Sequence, residues 1–420
     1  MDDRNNWNWE PEVREIADAA PLPGCDRQEE WQASPDGESM AAVVVQDDGT
    51  FAVRRNDALW EVRAEKIYRC LFAPDNRLTA LARLDGEWAL MVDDAEVGEH
   101  ADYYWGTMFS PGGAIAVPMQ TGMEYGVMLD GKPWENLYTS ATDFAVSANG
   151  RSTAAVVQTA SLGQADLEGF RKGVFTVAVN GNAWDSTFLN AWAPSFDREG
   201  HRVACTVRLT PFEYTVAING QCWDETFPCA WEPVFDPRSG DVLAPIRKNG
   251  AWGVARNGAL FWKTVFQQCW GIRVSPVEGG PVWAVVAPAY GSFTVAGDAK
   301  PWACRFPSVT DLVLSPDGRR AAALGSDNNR DFRVVVDGKP WEQTFDMAWP
   351  AVFSADGSHA AAKVRKGGRY AVYADNKPVA ENLDDVWTPS FSPAGDVLLF
   401  CSLQDGKFRR HTVKLPSAKL

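Results

Sequence analysis

Paired cysteines at metal-ligand spacing, clustered histidines, an excess of basic residues and long apolar runs are all missing from this 420-residue chain. Its eight cysteines (Cys25, Cys70, Cys205, Cys222, Cys229, Cys269, Cys304 and Cys401) include no CxxC pair. Scattered single cysteines fit free, mostly buried thiols in a reducing compartment. The nearest two, Cys222 and Cys229, are too few for a cluster site. The four histidines, His100, His201, His359 and His411, share no ligand spacing, which argues against a histidine-based metal centre. Lys and Arg number 40 against 55 Asp and Glu, for a net charge of −15. A nucleic-acid or anionic-membrane surface needs clustered cations, so neither is an expected partner. The opening MDDRNNWNWEPEV has no basic n-region and no apolar h-region, so it does not read as a secretory signal. Runs such as Met40–Val45 are far too short to span a bilayer. The expectation is a cytoplasmic chain with no membrane span of its own.

Signatures of chemistry are missing too. There is no GxSxG elbow, no P-loop, no GxGxxG after a strand and no CxxCH haem site. The carboxylates form no pattern that singles out an acid–base pair. The sequence therefore predicts no enzyme and no cofactor.

What is abundant is tryptophan, with 19 residues, and the tryptophans keep time. A corner of the type Ser-Pro-Asp-Gly, or a decayed form of it, begins at Ser34, Ala73, Ser110, Ser147, Asp197, Asp236, Ser275, Ser315, Ser354 and Ser392. The intervals are 39, 37, 37, 50, 39, 39, 40, 39 and 38 residues. The long one contains TASLGQADLEGFRKG, residues 159–173, which reads as a loop insertion. Trp60, Trp134, Trp184, Trp223, Trp262, Trp302 and Trp341 each stand 13 residues before the next corner, with Val97 and Val379 in the two other intervals. Trp105, Trp192, Trp231, Trp270, Trp349 and Trp387 each stand five residues before a corner, with Tyr68 once in that place.

A shared register with a period near 39 is the mark of a repeat architecture. Each unit reads as four short strands. Around Ser315 they are Thr310–Leu314, Arg320–Leu324, Phe332–Val336 and a strand through Trp341. Asp337-Gly338 makes the tight hairpin between the last two, since both central positions need φ > 0. The only segment with a weak helical spacing is 11–19. All-β units of about 40 residues without linkers predict a β-propeller with about ten four-stranded WD40-like blades. The last unit lacks a fourth strand, and the N-terminal segment, residues 1–30, supplies it and closes the ring. Residues 31–420 are then the repeats. Two smaller propellers in tandem are the alternative.

Tryptophans in this register read as packing. Burying one removes roughly 150–250 Å² from water, on the order of 4–6 kcal/mol before entropy. Trp7, Trp9, Trp31, Trp88, Trp252 and Trp283 fall outside both positions. Exposed members of that set would be interface anchors, because tryptophan is enriched at binding hot spots. Trp7, Trp9, Trp88, Trp252 and Trp283 are the candidates.

The repeat wording in Leu314–Ala322 and Phe391–Leu398 resembles the PD40-type WD40-like repeat of TolB-like propellers, a resemblance that covers nearly the whole chain. A tryptophan-rich chain of this length with a repeated DGKPWE (Asp130–Glu135, Asp337–Glu342) also resembles the TmcD family, the tryptophan-rich subunits of the Tmc transmembrane electron-transfer complex of sulfate-reducing bacteria. That resemblance implies a cofactor-free cytoplasmic subunit, held at the inner membrane by a membrane cytochrome b, a multihaem cytochrome c and an iron–sulfur protein. No site residue carries over from it. The functional expectation is a non-enzymatic scaffold or accessory subunit of a membrane-bound redox complex that works through protein–protein contacts. The alternative is an enzyme or small-ligand binder that uses carboxylates in the central channel.

Overall fold

The computed structural model describes residues 3–161 and 166–416. Ten antiparallel sheets succeed one another along the chain, each ordered first strand to fourth, and together they form a ten-bladed β-propeller. Blade 8 is typical, with strands Ser308–Leu314, Ala321–Ser326, Phe332–Val336 and Lys339–Pro340. In blades 3, 6, 9 and 10 the first strand is split into two short pieces. By compactness the chain divides into two units, residues 1–80 with 275–420 and residues 81–274.

Blade 10 consists of Asp385–Val386 with Ser390–Phe391, then Val397–Gln404, Lys407–Lys414 and finally Glu12–Asp18. Glu12–Asp18 runs antiparallel to Lys407–Lys414, so the N-terminal segment closes the last blade. This corrects the helical spacing read at 11–19. Seven residues are too few to hold an isolated helix, and the open edge of Lys407–Lys414 offers backbone partners instead. The closing piece is shorter than residues 1–30, because Cys25–Ala33 is already the first strand of blade 1. Residues 1–2 lie outside the described residues. So do residues 162–165 of the insertion, while Leu167–Lys172 forms a short helix capped by the Asp166 carboxylate, which accepts from the Gly169 N–H at 2.8 Å. Among the described residues no helix is long and apolar enough to cross a membrane.

The second strands are apolar almost throughout because neighbouring blades cover both of their faces. Ala321–Ser326 is buried at every position. Between blades 8 and 9, Ala322, Leu324, Val334, Trp341 and Phe345 pack with Ala360, Ala362, Val364 and Tyr373. Trp341 enters this seam because the hairpin ends there and its N–H returns to the Val334 carbonyl at 2.8 Å. The next blade's hairpin glycine then sits on such a tryptophan. A Cβ at Gly181 would lie 3.1 Å from Trp134, at Gly258 3.3 Å from Trp223, and at Gly338 2.9 Å from Trp302. Where Val97 replaces tryptophan, Gly131 makes the same approach, at 3.0 Å.

The corners are stapled by their serines. The Ser315 hydroxyl donates to Asp317 at 2.6 Å and accepts the Arg320 N–H at 3.0 Å. Ser354 repeats this with Asp356 and His359, and hydrogen bonds from Ser354 and Ser358 hold the Asp356 carboxyl down at about 2. The hairpin residue ties in as well. The Asp337 carboxylate accepts the Ala321 N–H at 3.0 Å, and Asn180, Asn219 and Asn257 do the same for Thr153, Val203 and Val242.

One titration in the closing blade is testable. His411 stacks on Phe400 with ring centroids 4.5 Å apart, and its Nε2 lies 2.8 Å from the Ser402 hydroxyl. Burial first, and then Arg409, pushes its pKa down from 6.5 to about 4. Below pH 6.5 the unfolded chain binds this proton and the folded chain does not, so stability falls as pH drops from 6.5 towards 4. His411→Gln is expected to flatten that part of the profile, as measured by urea unfolding at pH values across the window.

Candidate interaction surface

Most tryptophans of the first repeat position line the seams: Trp60, Trp134, Trp223, Trp262 and Trp341 are buried, and Trp184 and Trp302 are half-buried. The second position is less enclosed. Trp192, Trp270, Trp349 and Trp387 are half-buried, but Trp105 and Trp231 are exposed, at 38% and 47%. Blade packing alone does not account for those two indoles.

Their partners occupy a third aromatic position, at the start of each third strand, that the sequence reading did not separate. It holds Phe51, Trp88, Tyr125, Phe175, Tyr214, Trp252, Phe293, Phe332, Tyr370 and Phe408. Trp88 and Trp252 are therefore in register, at a third place. Trp105 meets Tyr125 at 5.6 Å, Trp192 stacks on Tyr214 at 6.0 Å, Trp231 stacks on Trp252 at 5.8 Å, and Trp349 meets Tyr370 at 5.8 Å. The signal was a 37–41-residue spacing, with one interval of 50, hidden by three interchangeable residue types.

The other candidate anchors divide. Trp252 and Trp283 are buried, the latter donating its Nε1–H to the Gly318 carbonyl at 3.0 Å, so neither ring is available at a surface. Trp7 and Trp9 are half-buried and stacked on each other at 5.7 Å. Trp88 is half-buried and begins a continuous strip. It meets Tyr103 at 5.7 Å, Tyr103 meets Trp105 at 5.4 Å, and Trp105 meets Tyr125. Edge-on and tilted contacts at these distances are the favoured aromatic geometries. Beside the strip, the turn before Tyr125 projects Met123, 80% exposed, and the equivalent turn of blade 5 projects Phe212, 81% exposed. The blade 4 insertion lies at the same turn and bears the exposed Leu167 and Phe170.

A cleft of about 400 Å³ opens between blades 4, 5 and 6, walled by Trp192, Tyr214 and Trp231, with Asp143 and Glu232 at its margin and Thr206 at its base. Asp143 reaches it from a bulged first strand, at φ 50°.

All eight cysteines are free, and Cys70, Cys205, Cys269 and Cys401 are buried. Burial pushes their thiols up, to about 12 for Cys269 and Cys401, which keeps them protonated. Among the described residues no three His, Cys, Asp or Glu side chains converge as a metal-binding group.

Strand order and blade repetition thus define a β-propeller that presents a tier of paired aromatics. No protein-family model matches the chain, and no curated protein matches it. Among solved structures it is similar to a eukaryotic initiation factor, with 12% identity and a TM-score of 0.48, over 78% of this chain and 90% of that one. It is also similar to the β-propeller domain of Cps50 (Swd1) from Myceliophteria thermophila, with 12% identity and a TM-score of 0.33, over 65% and 96%.

Proposed function

We propose that this propeller is a non-enzymatic accessory subunit of a membrane-bound electron-transfer complex, a cytoplasmic scaffold that docks partner subunits through its aromatic tier. The observation that supports docking is the strip Trp88–Tyr103–Trp105–Tyr125, whose Tyr103 and Trp105 are exposed, with the exposed Met123 beside it. Exposed, pre-positioned tryptophan and tyrosine lose little side-chain entropy on binding and dominate interface energetics. The partner class comes from the likeness to the tryptophan-rich Tmc subunits in repeat wording, DGKPWE included, and in length. The partners are then a membrane cytochrome b, an iron–sulfur protein and a cytochrome c, with the haems and clusters carried by those subunits.

The test is purification of the tagged chain from its native cell in mild detergent, followed by mass spectrometry and a visible spectrum. Haem-bearing and iron–sulfur subunits are expected to co-purify. The double variant Trp88→Ala, Trp105→Ala should lose at least about 90% of them while keeping its melting temperature within a few degrees, since hot-spot truncations cost 2 kcal/mol or more each. Recovery of the wild-type chain alone and colourless would overturn the proposal.

A further inference from the structure

Blade 9 shows what an aromatic pair of this tier can hold. Over Trp349 and Tyr370 lies the ammonium of Lys363, 4.6 and 4.8 Å from the two ring centroids. The Asp385 carboxylate stands 3.4 Å from the same nitrogen. A cation against two ring faces, with a carboxylate in reach, is a favourable electrostatic arrangement.

Blade 5 repeats the pair without the cation. Trp192 and Tyr214 take the places of Trp349 and Tyr370, and Arg208 lies over Tyr214 at 5.6 Å just as Arg365 lies over Tyr370 at 5.8 Å. Lys363 is nine residues after Ser354, and nine residues after Asp197 stands Thr206. Its hydroxyl is already used, donating to the Trp231 carbonyl at 2.8 Å. With a threonine where blade 9 has a lysine, the space above the rings is the open cleft, and Trp231 gives it a third aromatic wall. Asp143 and Glu232 supply negative charge, and among the described residues neither is paired with a lysine or arginine.

The geometry points to a binding site for an organic cation in this cleft, seated where Lys363 sits in blade 9. Its chemical class is a quaternary ammonium. A primary ammonium such as that of Lys363 needs acceptors for its N–H donors, which Asp385 helps to supply in blade 9, whereas here the carboxylates, Asp143 and Glu232, stand at the margin and the walls are aromatic faces. A methylated ammonium needs no hydrogen bonds and draws its affinity from the ring faces and the nearby carboxylates. The cleft's volume accommodates such a head group.

Choline is the probe, and 3,3-dimethylbutan-1-ol, its neutral isostere, is the control. The readout is the indole N–H signals of the intact chain with nitrogen-15-labelled tryptophan, assigned with Trp192 and Trp231 variants. Choline is expected to move both signals saturably, and to bind about tenfold or more tightly than the isostere, the worth of a cation–π contact of 1–2 kcal/mol. Thr206→Lys installs the tethered cation of blade 9 and should abolish the response. Should that variant fail to fold, Glu232→Gln, at an exposed position, should weaken choline several-fold and leave the isostere unchanged. Absence of a saturable shift up to about 50 mM, or equal binding of the isostere, overturns the proposal. So does undiminished binding in a folded Thr206→Lys chain.

Discussion

Replacing Arg410 with methionine is expected to cost the folded chain about 3 kcal/mol. The loss should begin in residues 12–18 rather than uniformly. The Arg410 side chain is fully buried. Its Nε–H donates to the Asp36 carbonyl at 2.9 Å and lies 3.2 Å from the Glu38 carboxylate, and a terminal nitrogen donates to the Asn8 carbonyl. One guanidinium thus joins the last blade, the first corner and the chain entering the closing strand. Arg54 does the matching work where the chain leaves that strand. It donates to the carbonyls of Asp18 at 2.5 Å and Ala20 at 2.7 Å, and to the Gln28 side chain at 2.7 Å. Glu12–Asp18 is therefore clamped at both ends by buried arginines. Methionine fills the volume but takes the donor away from the half-buried Asp36 carbonyl, the Asn8 carbonyl and the Glu38 carboxylate, and hydrogen bonds to a charged group are worth about 1.5–3 kcal/mol. Arg410→Lys should recover only part, because one ammonium cannot reproduce the planar fork. Urea unfolding measures the total, and hydrogen exchange should show residues 12–18 opening first. A change under about 1 kcal/mol, or exchange that rises evenly over the chain, would mean that sheet pairing alone closes the propeller.

The blades were legible in the sequence because their corners demand particular residues. Asp337-Gly338 and Ser315-Pro316-Asp317-Gly318 name their own geometry, and a ruler of such turns places every strand between them. The closing strand was legible as a missing partner, since Lys407–Lys414 had no successor. Its conformation was less clear. EVREIAD spaces its apolar residues ambiguously, and only the edge it pairs with, almost 400 residues away, makes it extended. The third aromatic position escaped because phenylalanine, tyrosine and tryptophan serve it equally. That is why Trp252 looked free when it is stacked beneath Trp231. The cleft was out of reach for a different reason. Asp143, Trp192 and Glu232 come from three blades, and each is unremarkable within its own repeat. What sets the cleft apart is the meeting of ring faces from blades 5 and 6 with carboxylates from blades 4 and 6, whereas only blade 9 carries a lysine, Lys363, at the place that Thr206 holds.

Gly318→Ala should destabilise the chain by about 4 kcal/mol, against about 1–2 kcal/mol for Gly406→Ala. Both glycines hold left-handed backbone, at φ +64° and +72°, so both substitutions carry the cost of that conformation for an L side chain. They differ in what the added methyl meets. At Gly406 there is nothing within 4 Å. At Gly318 the new Cβ would fall 2.5 Å from Ser275 Cα, an atom of the preceding blade's backbone that no rotamer change can move. Gly357 nests on Ser315 and Gly395 on Ser354 in the same way, at a looser 3.3 Å. Seen so, the corner glycine answers to two requirements, its own turn and the blade before it, and only the first is visible in a single repeat. Relief of the clash must shift the Ser275 corner, whose hydroxyl also accepts from Val277 and donates to the Asp317 carbonyl at 2.9 Å. Gly357→Ala should fall between the two extremes. If urea unfolding gives one common cost for all three alanines, then corner nesting does not fix the spacing of the blades. That spacing must instead come from the seams, where the hairpin glycines press on tryptophan.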